Sequence, residues 1–400
     1  MKKVLFVILI LVIAALLYFF ILKPASNSGA GTTPPIKPTV TVPEGPTLLP
    51  TSGIALYEQG KYKDAIVRLQ EELSDPNLES ADRCLAYLAF AYEKNKEHEA
   101  SVKIWTRLFN EHPASVFCGD GYYELGRNSK SPQEKIQYLE KALKYHGQGG
   151  WAAGIELGGY YLSQKDIPDF EYKARHAYSL ALQSSLTKEK TVEIKTKLNE
   201  LNRKLMFSSF ATPDSTIYIV QPGDNISKIS NRHKVEAGSS DIALGHIRRI
   251  NNKKSATIFP NEKLKIITAP MWVKVSKKNF TLTLYVNDDY VKEYLVSIGD
   301  PTKNSDTPSG SFTIGGKVVN PPWYGKTQDG KKEVIPFGDP RNILGTRWMS
   351  FKESPQLGIH GTTAPELGKK VSNGCVRMRN EEVEELYDLL SIGSKVIIEE

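Results

Sequence analysis

Cysteine is scarce: three in 400 residues, at Cys84, Cys118 and Cys375. That excludes a disulfide-built scaffold and makes each sulfur a separate question. An excess of one charge is lacking too. Lys and Arg total 52 against 45 Asp and Glu, a net +7 spread along the chain without a basic block. Such a mild tilt suits an acidic polymer and does not demand nucleic acid. Histidines 98, 112, 146 and 176 have no cysteine or carboxylate at metal-ligand spacing and read as solvated surface. Long apolar runs are absent but for one, which excludes a polytopic membrane protein.

That run is Val4 to Leu22, 19 residues with Tyr18 as the one polar side chain, preceded by Lys2 and Lys3 and closed by Lys23 and Pro24. At ~1.5 Å per residue it spans about 28 Å, one bilayer core. It exceeds the ~7–15 residue apolar centre of a cleaved signal peptide, and no A-x-A-like site follows it directly. Residues 1–23 are therefore expected to form an uncleaved single-pass anchor, with the lysine pair in the cytoplasm and the rest exported. Residues 24–50 hold prolines 24, 34, 35, 38, 43, 46 and 50 among Thr, Ser and Gly, and read as an extended linker.

Residues 51–208 have helical periodicity and are rich in Ala, Leu, Tyr, Glu and Lys. Tyr57-Glu58…Ala65…Leu69 returns 35 residues later as Tyr92-Glu93…Ala100…Ile104, and further helix pairs fit around Tyr122 to Tyr145 and Trp151 to Leu182. Small residues (Ala65, Ala100, Gly126, Gly158) stand where packed helices approach closely. The period resembles tetratricopeptide repeats, read as a helical spacer with a surface for an unnamed protein partner. Cys84 and Cys118 fall here, and their spacing leaves open a disulfide or two unpaired thiols.

Residues 217–267 read strand–helix–helix–strand: Y-I-V-Q-P-G-D-N-I-S-K-I, then H-I-R-R-I-N-N, then I-F-P-N-E-K-L-K-I-I. Order and spacing resemble the LysM domain at Tyr218, Val220, Gly223, Asp224, Ile229, Asn251, Pro260, Leu264 and Ile266. Asn225 stands in place of the usual Thr and Asn261 in place of the usual Gly, and E-A-G-S-S-D lengthens the inter-helix loop. The resemblance implies binding of N-acetylglucosamine-containing glycan, here peptidoglycan, by Gly223, Asp224, Asn225 and Ile226 together with Ile258, Pro260 and Asn261.

Residues 271–400 are β-rich, with period-two alternation in F-T-L-T-L-Y-V, turns at Gly-Asp-Pro, Thr-Pro-Ser-Gly and Asn-Pro-Pro, and a helix from Glu381 to Leu390 before a last strand. Chemistry concentrates in G-I-H-G-T (358–362) and V-S-N-G-C-V-R-M (371–378). A thiol with a pKa of about 8.5 is only a few per cent thiolate at pH 7, so a working nucleophile needs a neighbouring base or positive field. His360 sits between apolar strand residues and a glycine. Gly374 allows a sharp turn that aims the Cys375 thiol and nearby amides into one space, where the amides can hold an oxyanion. Arg377 shares a strand face with Cys375, placed to bind a carboxylate and favour thiolate.

These segments resemble the L,D-transpeptidase (YkuD-type) catalytic domain, together with T-P-S-G-S-F (307–312), N-I-L-G-T-R-W-M (342–349) and G-S-K-V-I-I (393–398). Asn373 stands where many members carry a second histidine. The resemblance implies a mainly-β sandwich with Cys375 as nucleophile and His360 as base and acid, and needs no metal or cofactor. It also implies oxyanion or supporting roles for Ser372, Asn373, Gly374 and Gly361, and substrate binding by Arg377 and Trp348. The implied donor is a peptidoglycan tetrapeptide: the thiolate attacks its third residue, D-Ala leaves, and an amine of another stem resolves the thioester into a 3→3 cross-link. The expected protein is thus multidomain: a transmembrane helix, an all-α TPR-like array, a βααβ LysM domain and a YkuD-type sandwich. It would sit in the bacterial cytoplasmic membrane with its later domains facing the periplasm or wall. An L,D-carboxypeptidase using the same thioester and a wall-binding scaffold are the competing readings.

Overall fold

Apolar positions three and four residues apart make paired helices in the computed structural model, which describes residues 52–145, 147–184, 186–233, 243–326, 331–363 and 367–400. The expected anchor (1–23) and linker (24–50), His146 and most of the long inter-helix loop lie outside the described residues. Among the described residues no helix is long and apolar enough to cross a membrane.

Helices α1 (Gly53–Glu58) and α2 (Tyr62–Glu72), α3 (Ala81–Lys94) and α4 (His98–Glu111), α5 (Phe117–Asn128) and α6 (Pro132–Ala142), and α7 (Gln148–Ser163) and α8 (Phe170–Ala181) form successive hairpins, followed by α9 (Lys188–Leu205). Starts follow local chemistry: the Ser52 hydroxyl accepts from the Ala55 amide at 3.2 Å, and Ser131 precedes Pro132 in the first turn of α6. Close approach explains Gly158, where a Cβ would lie 2.7 Å from the Tyr178 ring. Cys84 and Cys118 are both buried and unpaired. Burial pushes the Cys84 thiol up to about 11, so it is inert near neutral pH.

Strands β1 (Ser215–Ile219) and β2 (Lys263–Ile267) pair antiparallel, with Tyr218 opposite Leu264. Helices α10 (Ile226–Arg232) and α11 (Leu244–Ile250) flank them around Val220, Ile226, Ile229, Ile247, Leu264 and Ile266. The last module holds β3 (Met271–Ser276), β4 (Thr281–Val286), β5 (Asp289–Leu295), β6 (Ile298–Gly299), β7 (Gly310–Val319), β8 (Trp323–Lys326), β9 (Lys332–Ile335), β10 (Arg347–Phe351), β11 (Gly358–Thr362), β12 (Lys370–Ser372), β13 (Val376–Arg379), α12 (Asn380–Leu389) and β14 (Lys395–Glu399). Eight strands run in the order β13-β11-β10-β7-β14-β3-β4-β5. The long strand β7 turns the corner. Its first half pairs with β14 and its second with β10, with a register shift at Phe351. Inside the fold lie Val273, Leu284, Phe351, Ile359, Val376 and Leu386.

The helical region is not the independent spacer that its sequence implies. Strand β5 is the edge of the sheet, and α8 and α9 cover it. Tyr290 of β5 packs in the core of the helices beside Tyr178 and Leu198, and the Asn202 side-chain amide donates to the carbonyls of Tyr290 and Val291 at 2.9 and 3.0 Å. Arg175, fully buried, donates to Asp214 at 2.8 Å and to Asp289 at 2.9 Å. His176, read as a solvated histidine, meets Asp289 at 2.7 Å through Nδ1. On another side α11 docks on α12: Arg248 and Arg249 both donate to Asp388, and Ile250 enters the catalytic core. Helices, small module and catalytic module are one packed body because each lends side chains to its neighbour's core.

Candidate active site

Register places the chemistry. Strands β11 and β13 run parallel, with His360 beside Arg377, and β10 runs antiparallel to β11, with Trp348 beside His360. Paired residues project from the same face of a sheet, as do residues two apart on one strand. Trp348, His360 and Arg377 therefore share one face, and Cys375, one residue before β13 and two before Arg377, joins them. Ile359, Met349, Val376 and Met378 take the other face and enter the core. Strand spacings put the Cα atoms of Cys375 and His360 about 8 Å apart, within reach of side chains leaning toward each other.

His360 is buried, and its Nδ1 lies 2.7 Å from the Gly361 carbonyl. A carbonyl only accepts, so Nδ1 carries the proton and Nε2 of the neutral ring is left as the acceptor. The Trp348 and His360 ring centroids are 5.9 Å apart. Gly374, at φ +100°, makes the turn into Cys375, and a Cβ there would lie 3.0 Å from Leu357 and 3.3 Å from the Asp306 carbonyl. Ser372 is buried and donates from Oγ to the Cys375 carbonyl at 2.5 Å, which fixes the chain on both sides of the glycine. Asn373 is exposed.

Residues 270–398 match the YkuD family, described as the L,D-transpeptidase catalytic domain, and residues 218–266 match the LysM domain. A Bacillus subtilis (strain 168) protein named as an L,D-transpeptidase, YqjB, is 37% identical over 133 residues, 32% of this chain and 70% of that protein. The chain belongs to the L,D-transpeptidase family. A Bacillus licheniformis relative named YkuD is 35% identical over 33% of this chain and 67% of its own length. The Bacillus subtilis YkuD is 29% identical over 45% of this chain and 97% of its own length.

Electrostatics in this L,D-transpeptidase refine the expected roles. Burial holds the His360 imidazole down to about 4, the Gly361 carbonyl pulling it up and Arg377 adding to the depression. Burial also raises the Cys375 thiol, while a backbone contact at Gly358 and the Arg377 charge lower it less. The expectation that Arg377 favours thiolate is thus outweighed: both partners rest neutral, as thiol and imidazole. Arg377 is itself held below its usual value by burial, and its Nε is buried without a hydrogen-bond partner among the described residues. A buried guanidinium nitrogen without an acceptor, on the face that bears the nucleophile, is an unsatisfied donor of the site.

Gly361, expected in an oxyanion or supporting role, meets His360 through its carbonyl. Its Cα faces α12, where a Cβ would lie 2.2 Å from Asn380 Oδ1, and its contribution is the carbonyl that orients His360. The family segment T-P-S-G contributes support that its sequence did not disclose. Thr307 is fully buried, its Oγ1 accepts from the Gly299 amide at 2.7 Å, and Lys277 holds Asp306 at 2.8 Å. This presses the 305–306 backbone against Gly374. Gly374→Ala, which puts a methyl into that contact at a positive φ, is expected to lower kcat/KM about 100-fold while the folded fraction at 25 °C stays complete. Steady-state kinetics beside a circular-dichroism melt checks it.

In the LysM module three of the positions expected to contact sugar make structural contacts. Asp224 accepts from the Tyr218 hydroxyl at 2.7 Å, the Gln221 amide at 2.8 Å and Arg232 at 2.8 Å, and Ile226 lies in the core. Asn225 caps α10 by accepting from the Lys228 amide at 2.9 Å. Gly223, Pro260 and Asn261 are exposed and Ile258 half-buried. Phe259, 65% exposed between Ile258 and Pro260, is an aromatic surface inside the expected stretch that the motif itself does not single out. A phenylalanine in a loop reads as core until its exposure is seen.

Proposed function

We propose that this protein forms 3→3 peptidoglycan cross-links through a Cys375 acyl-enzyme. What carries the reading is one sheet face that bears Cys375, Arg377 and an imidazole whose Nδ1 is committed to a carbonyl. Arg377 takes the terminal carboxylate of a tetrapeptide stem. As the thiol sulfur attacks the carbonyl of the third residue, its proton passes to His360 Nε2, and the amides of Gly374 and Cys375 receive the oxyanion. His360 returns that proton to the departing D-Ala amine as the C–N bond breaks, leaving a thioester. The side-chain amine of a second stem attacks this thioester, His360 takes its proton, and collapse expels the sulfur, which recovers the proton as the new amide forms.

The remaining modules serve placement. Residues 1–23 anchor the chain in the cytoplasmic membrane, residues 24–50 extend it, the helical region is a tetratricopeptide-like array offering a surface to a protein partner, and the LysM module holds glycan. Holding an insoluble polymer beside the nucleophile raises its effective concentration without a new catalytic contact.

Incubation with tetrapeptide muropeptides tests the reading. Cross-linked dimers should form with the full chain and fall below about one part in a thousand with Cys375→Ala. Tripeptide product without dimers means that water is the acceptor and the enzyme is a carboxypeptidase. Dimers undiminished by Cys375→Ala contradict the proposed nucleophile.

A further inference from the structure

The strand register extends the active-site face beyond the residues that carry the chemistry. Strand β7 pairs with β10 so that Val318 lies opposite Trp348 and Gly316 opposite Ser350. One row therefore crosses four strands in the order Arg377, His360, Trp348, Val318. A second row, Gly316 and Ser350, runs alongside it toward the Cys375 end. Exposure increases along the first row: His360 is buried, Trp348 half-buried and Val318 42% exposed. Beside Val318, Gly316 keeps the floor low, since a Cβ there would meet only Ser350 Oγ, at 2.9 Å. The opposite face at this end of β7 is already used, because the Lys317 side chain passes under the sheet to the carbonyls of Tyr387 and Leu390 at the end of α12.

Length and chemistry suit this strip to an extended peptide. Three strand-to-strand steps of ~4.8 Å give about 14 Å from Arg377 to Val318. Four extended residues at ~3.3–3.6 Å each cover the same span. One end carries the half-buried Arg377 guanidinium, a cation for a carboxylate, the middle an imidazole near the nucleophile, and the far end a flat indole and an exposed aliphatic side chain. We infer that Val318, on the floor left open by Gly316, is a specificity-determining residue that binds the amino-terminal half of the donor stem. This rests on the reading of Cys375 and Arg377 given above. With the terminal carboxylate at Arg377 and the third carbonyl at Cys375, the second residue lies over Trp348 and the first over Val318.

The test uses the full chain, a tetrapeptide donor, and the same donor lacking its amino-terminal residue. Val318→Glu is expected to raise KM for the tetrapeptide about tenfold with kcat within about threefold, and Val318→Leu to leave both within about twofold. Removing the first donor residue should raise KM in the parent enzyme and cause little further change in Val318→Glu, because both changes delete one contact. Equal KM values in parent and Val318→Glu overturn the inference, as do two penalties that simply add. If the parent enzyme acylates no donor at all, the reading beneath fails and this inference falls with it. Acylation that persists with an unchanged KM refutes the Val318 assignment alone.

Discussion

His360→Gln lowers kcat/KM for a tetrapeptide donor by about 10³- to 10⁴-fold, because a neutral thiol has no other acceptor for its proton as it attacks. The same resting state sets the pH profile. An imidazole held down to about 4 is protonated only below that pH, so the acid limb of kcat/KM should fall near pH 4 and not near 6.5. A thiol raised above its ordinary value should react with iodoacetamide at a rate still climbing at pH 9, without a plateau between pH 5 and 8. A labelling plateau near pH 6 would mean a standing thiolate–imidazolium pair and would contradict the neutral arrangement.

Arg175→Met is expected to destabilise the packed body by about 3–5 kcal/mol. The guanidinium is fully buried, and Asp214 and Asp289 would remain buried without it. Urea unfolding followed by tryptophan fluorescence measures the loss, and Asp289→Asn in the same background should recover part of it by removing one stranded charge. His176 adds a pH dependence. Its hydrogen bond to Asp289 raises its pKa above the ordinary 6.5, so its stabilising charge is present in mild acid and vanishes as pH climbs through that raised value. A loss below about 1 kcal/mol for Arg175→Met would mean that the helices rest only loosely on the sheet.

Local pattern and long-range packing were unequally legible. H-G-T and S-N-G-C-V-R-M carry their own strand alternation and their own glycine turn, so β11, β13 and the chemistry between them could be read from a few residues each. The helix pairs were legible for the same reason, since 3.6-residue periodicity is local. Arg175 was not. In K-A-R-H-A-Y it looks like a solvated face, and its partner Asp289 stands 114 residues away. Ile250 likewise reads as the interior of its own small module, yet it packs into the catalytic core. Val318 was hidden for a third reason: its face is defined by registers across four strands, and register is not written in any one of them. Asp224 shows the converse, a motif position whose carboxylate is consumed by Tyr218, Gln221 and Arg232.

Intact-mass spectrometry of the full chain mixed with a tetrapeptide donor whose side-chain amine is acetylated, so that no amine acceptor is present, tests the central claim most directly. The expected result is a gain equal to the donor minus its terminal D-Ala, mapped to Cys375 and lost on adding an acceptor amine. Turnover with no such species on quenching, or an adduct mapped to Cys84 or Cys118, would contradict it.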